Sequence, residues 1–209
     1  MSKRKESPPD NSHSFSRRSF LKGAGAAATG TTVLASGLLA HATEGPSRVV
    51  GPGATTIALN VNGAVKRVSL EPRTTLAEAL RDELHMTGTK IVCDRGSCSA
   101  CTVLLDGTPV NSCTTFALDA VDHKITTIEG LGNPTHLHAV QAAFVEHDGM
   151  QCGYCTPGMV MSCAALLERN PNPVAADVQQ AISGNLCRCG TYPKVVEAAL
   201  AAARSRKGA

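Results

Sequence analysis

The sequence predicts an α+β protein in which a domain built around a small sheet is followed by an all-α domain of four helices. Before residue 130, short segments alternate between apolar and polar residues, which is typical of strands with one buried face. After residue 131, prolines that follow Asn or Thr mark the starts of helices. Eight of the nine cysteines form two groups of four, one group in each predicted domain.

Charge separates the N-terminal segment from the rest of the chain. The 209 residues carry a formal net charge of +3, and the first 42 residues hold six Lys/Arg against two Asp/Glu. The remaining residues hold fourteen Lys/Arg and fifteen Asp/Glu, a net of −1, so no basic face for nucleic acid is implied. Aromatic residues are scarce, which predicts thin cores. A metal bound to the chain would help hold such cores, because its binding free energy adds to that of folding.

The N-terminal segment resembles a twin-arginine (Tat) export signal. Residues 16–22 read S-R-R-S-F-L-K, an uncharged stretch extends from Gly23 to Ala40, and an A-x-A cleavage site ends at Ala42. A transmembrane anchor is the alternative, but few residues of the uncharged stretch are strongly apolar. The sequence therefore predicts a signal peptide over residues 1–42 and export to the periplasm. Residues 43–53, rich in Gly and Pro, are predicted to form a flexible lead-in.

Residues 54–130 are predicted to form the sheet-containing domain. Asn62-Gly63 and Asp106-Gly107 are hairpin turn signals, and Thr75-Leu76-Ala77-Glu78 fits a capping box that opens a helix to about Leu84. The predicted strands are Thr55–Val61, Ala64–Leu70, Val103–Leu105, Pro109–Ser112 and Lys124–Ile128. Two hairpins around one helix, with a cysteine-bearing loop between them, indicate a β-grasp fold.

Residues 131–209 are predicted to form the all-α domain. The predicted helices are Pro134–His147, Pro157–Arg169, Pro173–Ser183 and about Tyr192–Arg204. Their short connections favour a small bundle. His136 and His138 are two residues apart and point away from each other on a helix, so they and His147 are interpreted as surface or packing residues.

The first group of cysteines has the spacing of a plant-type ferredoxin. Cys93, Cys98, Cys101 and Cys113 follow the pattern C-x4-C-x2-C…C, and a [2Fe–2S] cluster held by protein needs four thiolates. Gly96 lies inside this loop, where glycine permits the tight turn that aims backbone N–H groups at sulfur.

The second group of cysteines lies at the ends of predicted helices. Its members are Cys152, Cys155, Cys187 and Cys189. A helix N-terminus offers free N–H groups and a partial positive charge, which suits an anionic cluster with four thiolates. Cys163 lies inside a predicted helix and is interpreted as a buried core cysteine.

The residues alone leave two other roles open for the cysteines. A disulfide framework suits an exported chain, but nine cysteines leave one unpaired, and Cys187 and Cys189 are too close for an easy mutual bridge. Structural zinc usually takes two similar C-x2–4-C knuckles, whereas the two groups here differ from each other. The spacing therefore favours two [2Fe–2S] clusters.

The motifs over about residues 54–204 resemble the small iron–sulfur subunit of the xanthine oxidase/aldehyde oxidase family of molybdenum hydroxylases. The motifs that carry this resemblance are C-D-R-G-S-C-S-A-C, Q-C-G-Y-C-T-P-G and G-N-L-C-R-C-G, in that order. With its Tat signal, the chain looks most like the iron–sulfur component of a periplasmic aldehyde oxidoreductase. Gly190-Thr191 departs from the pattern, because many relatives place Thr before Gly.

The resemblance implies a direction for electron flow. The cluster of the helical domain would lie toward the molybdenum cofactor, and the cluster of the β-grasp domain toward a flavin or another acceptor. Gln151 occupies the position whose side-chain amide contacts the pterin part of the molybdenum cofactor. The implied partners are an FAD-binding subunit and a large molybdenum-cofactor subunit.

The chain is therefore predicted to transfer electrons while a partner oxidises an aldehyde or N-heterocycle. It has no nucleotide-binding fingerprint and no visible triad, so no catalytic residue is assigned to it. A free-standing periplasmic two-cluster ferredoxin is the alternative. Gln151 and the C-terminal motif argue against it, because they have no role without a molybdopterin partner.

Overall fold

The computed structural model describes residues 50–206. The predicted signal peptide over residues 1–42, and residues 43–49 of the predicted lead-in, lie outside the described residues. Within the described range, no helix has both the length and the apolar character needed to cross a membrane.

The N-terminal half of the described chain forms a five-stranded mixed sheet in the order β2-β1-β5-β3-β4. The strands are β1 (Thr55–Val61), β2 (Ala64–Leu70), β3 (Thr102–Leu105), β4 (Thr108–Asn111) and β5 (Lys124–Thr126). Strands β1 and β5 are parallel, and every other neighbouring pair is antiparallel. This arrangement of two hairpins around a central parallel pair confirms the predicted β-grasp fold.

Both predicted hairpin turns are present. Asn62 and Gly63 have φ values of 52° and 79°, and Asp106 and Gly107 have 49° and 80°. A two-residue hairpin turn of this type needs positive φ at both central positions, which Asn-Gly and Asp-Gly supply at low cost. The local sequence therefore determines the register of both hairpins.

The last strand is shorter than predicted. Strand β5 ends at Thr126, because the N–H of Thr127 donates to Oδ1 of Asn62 at 2.9 Å instead of joining the sheet. The Asn62 amide also donates to Oγ1 of Thr127 at 3.0 Å. The chain then turns into a short helix, α2 (Ile128–Leu131).

The helix of the β-grasp part begins as predicted and continues differently. The capping box is formed, since Thr75 Oγ1 accepts from the N–H of Glu78 and Glu78 accepts from the N–H of Thr75. However, α1 spans only Leu76–Glu78, and Ala79–Glu83 form a wider π turn. The predicted continuous α-helix to Leu84 is therefore wrong, although the apolar stripe does face the core.

The C-terminal half contains the four predicted helices. They are α3 (Ala139–Glu146), α4 (Thr156–Arg169), α5 (Ala175–Ala181) and α6 (Tyr192–Ser205). Helices α4 and α6 lie within one residue of their predicted bounds, and α5 is two residues shorter than predicted at each end. The prolines of α4 and α6 lie in the first turn, where their missing N–H costs no hydrogen bond.

Helix α3 starts later than the sequence predicted. Asn133 does not cap a helix; its Oδ1 accepts from the N–H groups of Thr135 and His136 and closes a turn. The helix begins after His138, whose Nδ1 accepts from the N–H of Val140 at 3.3 Å. His138 is thus a half-buried capping residue.

The sheet and the helices each have a buried core, and α4 joins them. In a small cluster of buried residues between the two cores, Leu104 of β3 packs against Met161 and Ala165 of α4. Gly158 in the first turn of α4 lies directly against Ser99 of the first cysteine loop. This packing places the N-terminus of α4, and the cysteines before it, beside that loop.

Candidate metal centres

The first cysteine group is assembled from one loop and one short turn. Cys93, Cys98 and Cys101 come from the loop that precedes β3, and Cys113 comes from the 3₁₀ turn after β4. The side chains of Cys98, Cys101 and Cys113 are 2–7 % exposed, and Cys93 is half-buried. The structure thus brings all four predicted ligands of this group to one place near the surface.

The backbone of this loop directs N–H groups toward sulfur. Gly96 has a φ of 71°, and its N–H donates to the Sγ atom of Cys113 at 3.3 Å. The N–H of Ser97 donates to the Sγ atom of Cys93 at 3.3 Å. These bonds confirm the role predicted for Gly96, and hydrogen bonds of this kind stabilise thiolate charge.

The second group lies at the N-terminal ends of two helices. Cys155 is the residue immediately before α4, and Cys187 and Cys189 shortly precede α6. Cys155 is buried, Cys187 is half-buried, and Cys152 and Cys189 are exposed. The positive ends of α4 and α6 are therefore close to the sulfurs, as the sequence predicted.

The closest interactions among the eight thiols form four pairs, and electrostatic interactions also join the two pairs of each group. The interacting pairs are Cys93 with Cys98, Cys101 with Cys113, Cys155 with Cys187, and Cys152 with Cys189. A [2Fe–2S] cluster with four protein thiolates takes two on each iron. The paired geometry fits two-iron clusters, and all nine cysteines are free thiols.

Hydrogen bonds and burial set the acidity of these thiols. The backbone N–H of Arg95 is the main cause that lowers the pKa of Cys93 to about 7. Burial alone would raise the pKa of Cys187, but the hydroxyl and N–H of Thr191 donate to its sulfur and the pKa falls to about 7. Burial raises the pKa of Cys155 to about 12. A bound iron ion would hold such a thiol deprotonated despite its burial.

The two cysteine groups are neighbours. A cavity of about 360 Å³ is lined by Cys98 of the first group together with Cys152, Cys155 and Cys187 of the second. The N–H of Leu186 donates to the carbonyl of Cys98 at 3.0 Å, which joins the two loops directly. Two redox groups bound at these cysteines would lie side by side.

Cys163 is the buried core cysteine that the sequence predicted. Its side chain is 0 % exposed within the helical core, and burial raises its pKa to about 12. It lies on α4 in the second turn after Cys155 and belongs to none of the four thiol pairs.

Gln151 lies immediately before Cys152 on the surface. Its side chain is exposed, and its amide makes no hydrogen bond to the part of the chain that the structure describes. The exposed apolar side chains of Met150, Tyr154 and Leu186 lie close to it in sequence or line the cavity of the second group. The contact of Gln151 with a pterin stays a prediction.

Sequence reasoning assigned no role to three residues that support the second group. The Tyr192 hydroxyl accepts from the N–H of Cys187 at 2.8 Å and donates to the carbonyl of Asn185 at 3.3 Å. Thr191 contacts the Cys187 sulfur, and Asn185 is 2 % exposed. Their position within a few residues of Cys187 was the available signal, but the side-chain partners of Asn185, Ser162 and Ser99, lie elsewhere in the fold.

Comparison with family models divides the chain into three parts. Residues 14–35 match the signal sequence of the twin-arginine translocation pathway, which indicates export by that pathway. Residues 59–126 match the 2Fe-2S iron-sulfur cluster binding domain, and residues 127–200 match the [2Fe-2S] binding domain. The chain therefore carries two [2Fe–2S] domains.

Curated relatives are components of oxidoreductases. The chain is 39% identical to the aldehyde oxidoreductase iron-sulfur-binding subunit PaoA of Escherichia coli (strain K12), over 95% of this chain and 96% of that protein. It is 41% identical to the nicotinate dehydrogenase small FeS subunit of Eubacterium barkeri, over 67% of this chain and 89% of that protein.

Solved structures have the same fold. Quinoline 2-oxidoreductase from Pseudomonas putida 86 matches with a TM-score of 0.70 and 41% identity, over 74% of this chain and 98% of that chain. Aldehyde oxidoreductase from Desulfovibrio gigas matches with a TM-score of 0.70 and 39% identity, over 74% of this chain and 17% of that longer chain. This protein belongs to the small iron–sulfur subunits of the xanthine oxidase/aldehyde oxidase family of molybdenum hydroxylases, and it serves such an enzyme as the electron-transfer subunit.

Proposed function

We propose that the two cysteine groups hold the two [2Fe–2S] clusters and that electrons pass through them one at a time. The ligands of one cluster are Cys93, Cys98, Cys101 and Cys113, and those of the other are Cys152, Cys155, Cys187 and Cys189. The observation that carries this proposal is that the fold gathers the cysteines of each group: the Gly96 N–H of the first loop donates to the Cys113 sulfur, and Cys152, Cys155 and Cys187 line one cavity. When bound, each cluster accepts and releases one electron at a time.

The residues around the clusters supply what electron transfer requires. The N–H groups of Gly96 and Ser97 donate to cysteine sulfurs in the first group, and the N–H of Thr191 does so in the second. These donors stabilise the negative charge that a cluster gains on reduction. The hydrogen bond between Leu186 and Cys98 keeps the two sites adjacent.

The exposed edge of the second group is the proposed face toward the molybdenum cofactor. Cys152, Cys189 and Gln151 are exposed there, beside the large apolar side chains of Tyr154 and Leu186. An amide both donates and accepts hydrogen bonds, so Gln151 suits the edge of a pterin. A large molybdenum subunit would cover this face, and an FAD-binding subunit would take electrons from the first cluster.

The proposed reaction is the oxidation of an aldehyde or an N-heterocycle on the molybdenum subunit. Water supplies the oxygen atom, and two electrons leave the substrate for this chain. The relatives include proteins named for aldehyde and for nicotinate, so both substrate classes are supported. The signal over residues 14–35 supports assembly before export and action in the periplasm.

Anaerobic purification of the chain from its native host tests this proposal. We expect about four iron ions and about four acid-labile sulfides per chain, together with a molybdenum protein and a flavin protein in the same complex. Material without iron or sulfide would contradict the cluster assignment. A chain that carries both clusters but is isolated as a lone monomer would favour the free-standing ferredoxin instead.

A further inference from the structure

The loops that carry the two cysteine groups are joined by consecutive hydrogen bonds. The N–H of Leu186 donates to the carbonyl of Cys98, and the side-chain amide of Asn185 donates to the carbonyl of Ser99, both at 3.0 Å. Two consecutive residues, Asn185 and Leu186, thus donate to two consecutive carbonyl groups of the first cysteine loop. Any change in this contact would move one cysteine group relative to the other.

Asn185 is the buried residue at the centre of this contact. It is 2 % exposed, and its Oδ1 accepts from the Ser162 hydroxyl of α4 at 2.9 Å. Its own carbonyl accepts from the Tyr192 hydroxyl of α6 at 3.3 Å. A buried amide is stable when both its donor and its acceptor are used, and here each is bonded to a different element. Asn185 therefore ties α4, α6 and the first cysteine loop together.

Ser99 is held in a conformation that needs support. Its φ is 52°, in the left-handed region that non-glycine residues seldom occupy. Its carbonyl accepts from the hydroxyl of Thr102 at 2.7 Å as well as from Asn185. Such conformations persist when the surrounding structure over-determines them. The hydrogen bond from Asn185 is one of the contacts that stabilise this conformation of Ser99.

Gly158 leaves no space between α4 and the first loop. A Cβ atom at this position would lie 2.2 Å from the Ser99 carbonyl oxygen, 3.1 Å from Nδ2 of Asn185 and 3.2 Å from Cα of Ala100. Two of these three atoms belong to backbone, so they could not yield without moving the loop. Direct contact therefore limits the approach of the loops, and the Asn185 hydrogen bonds limit their separation.

We propose that Asn185 is a positioning residue that fixes the distance between the two iron–sulfur clusters. This inference rests on the proposed function, because it takes both cysteine groups to hold clusters. Among the described residues, the Asn185 side chain bonds to Ser162 and Ser99 and to no cysteine sulfur. It acts through the backbone of Ser99 and of its own loop.

The distance between the clusters has a spectroscopic signature. A reduced [2Fe–2S] cluster carries one unpaired electron spin, and two such spins split each other's electron paramagnetic resonance (EPR) signals. The dipolar part of this interaction falls with the cube of the distance. The splitting therefore reports the separation directly, without turnover.

The test uses the complete complex, fully reduced with dithionite, and compares Asn185→Ala and Gly158→Ala with wild type. Asn185→Ala removes the hydrogen bond to Ser99, and Gly158→Ala inserts a Cβ atom 2.2 Å from the Ser99 carbonyl oxygen and so drives the loops apart. We expect a resolved splitting in wild type and a reduced or lost splitting in both variants, with iron content unchanged. Asn170→Ala is the matched control, because its amide also donates a hydrogen bond, to Asp177 at 3.1 Å, at the opposite end of α4 from Cys155. Its splitting should equal that of wild type.

The outcomes separate this inference from the function on which it rests. Wild type with both clusters and unchanged splitting in Asn185→Ala would overturn the positioning role alone. Wild type without iron would overturn the proposed function and this inference with it. If Asn185→Ala loses a cluster, Asn185→Asp at alkaline pH keeps the shape and the acceptor for Ser162 but removes the donor to Ser99. An unaltered splitting in Asn185→Asp would then reject the role.

Discussion

Replacing Thr191 by Val should lower the reduction potential of the second cluster. The hydroxyl of Thr191 lies 3.2 Å from the Cys187 sulfur, and its N–H donates to the same atom at 3.5 Å. Thr191 precedes α6, yet its side chain makes no capping hydrogen bond. Valine matches threonine in shape, so the substitution removes the hydroxyl without removing a helix cap.

The magnitude follows from the strength of one hydrogen bond. Reduction adds negative charge to the cluster, so a donor to sulfur stabilises the reduced form more than the oxidised form. A net hydrogen bond contributes about 0.5–1.5 kcal/mol. For a one-electron couple, a tenfold change in equilibrium corresponds to about 59 mV, so the full bond is equivalent to about 20–60 mV. We therefore expect the potential to fall by up to about 60 mV.

A redox titration followed by EPR measures this shift. The first cluster serves as an internal standard, because the described hydrogen bonds of Thr191 involve none of its ligands. Thr191→Ser keeps the hydroxyl and should retain the wild-type potential. An equal shift in Thr191→Ser, or no shift in Thr191→Val, would refute the reasoning.

Two further predictions concern the helical part. Cys163→Ala should leave the iron and sulfide content unchanged, because Cys163 belongs to no thiol pair, whereas Cys155→Ala should lose about half of the iron. Metal analysis of both purified variants checks this. Iron loss in Cys163→Ala would contradict the prediction. Phe144→Ala should destabilise the protein by about 3–5 kcal/mol, because the ring is 1 % exposed in the core. The neighbouring Val145 is 61 % exposed, so Val145→Ala should have little effect on stability. Thermal unfolding followed by circular dichroism compares the two, and similar Tm values would contradict the assignment of this core.

The glycine and threonine at positions 190 and 191 show why the order of two residues matters. Gly190 has a φ of 79°, a conformation that glycine adopts without strain and that a β-branched threonine resists. Thr191 has an ordinary negative φ of −72° and can place its hydroxyl against the Cys187 sulfur. The order found in this chain is therefore compatible with the backbone.

The sequence determined the features that depend on near neighbours. Both hairpin turns, the capping box at Thr75, and the proline starts of α4 and α6 formed where predicted, because each uses contacts within a few residues. The same locality explains the errors. Asn133 is followed by a proline and suggested a helix start, but its side chain closed a turn instead, since the competing cap at His138 was not recognisable.

Only the tertiary structure decided how the cysteines pair and how close the two groups lie. The spacing along the chain identifies eight candidate ligands, but it does not show that Cys152 lies beside Cys189 or that Cys98 lies beside the second group. The contact between Asn185 and Ser99 joins residues 86 positions apart, and it exists because α4 packs against the sheet. Contacts of that range depend on how whole elements pack, and no local pattern of residues encodes them.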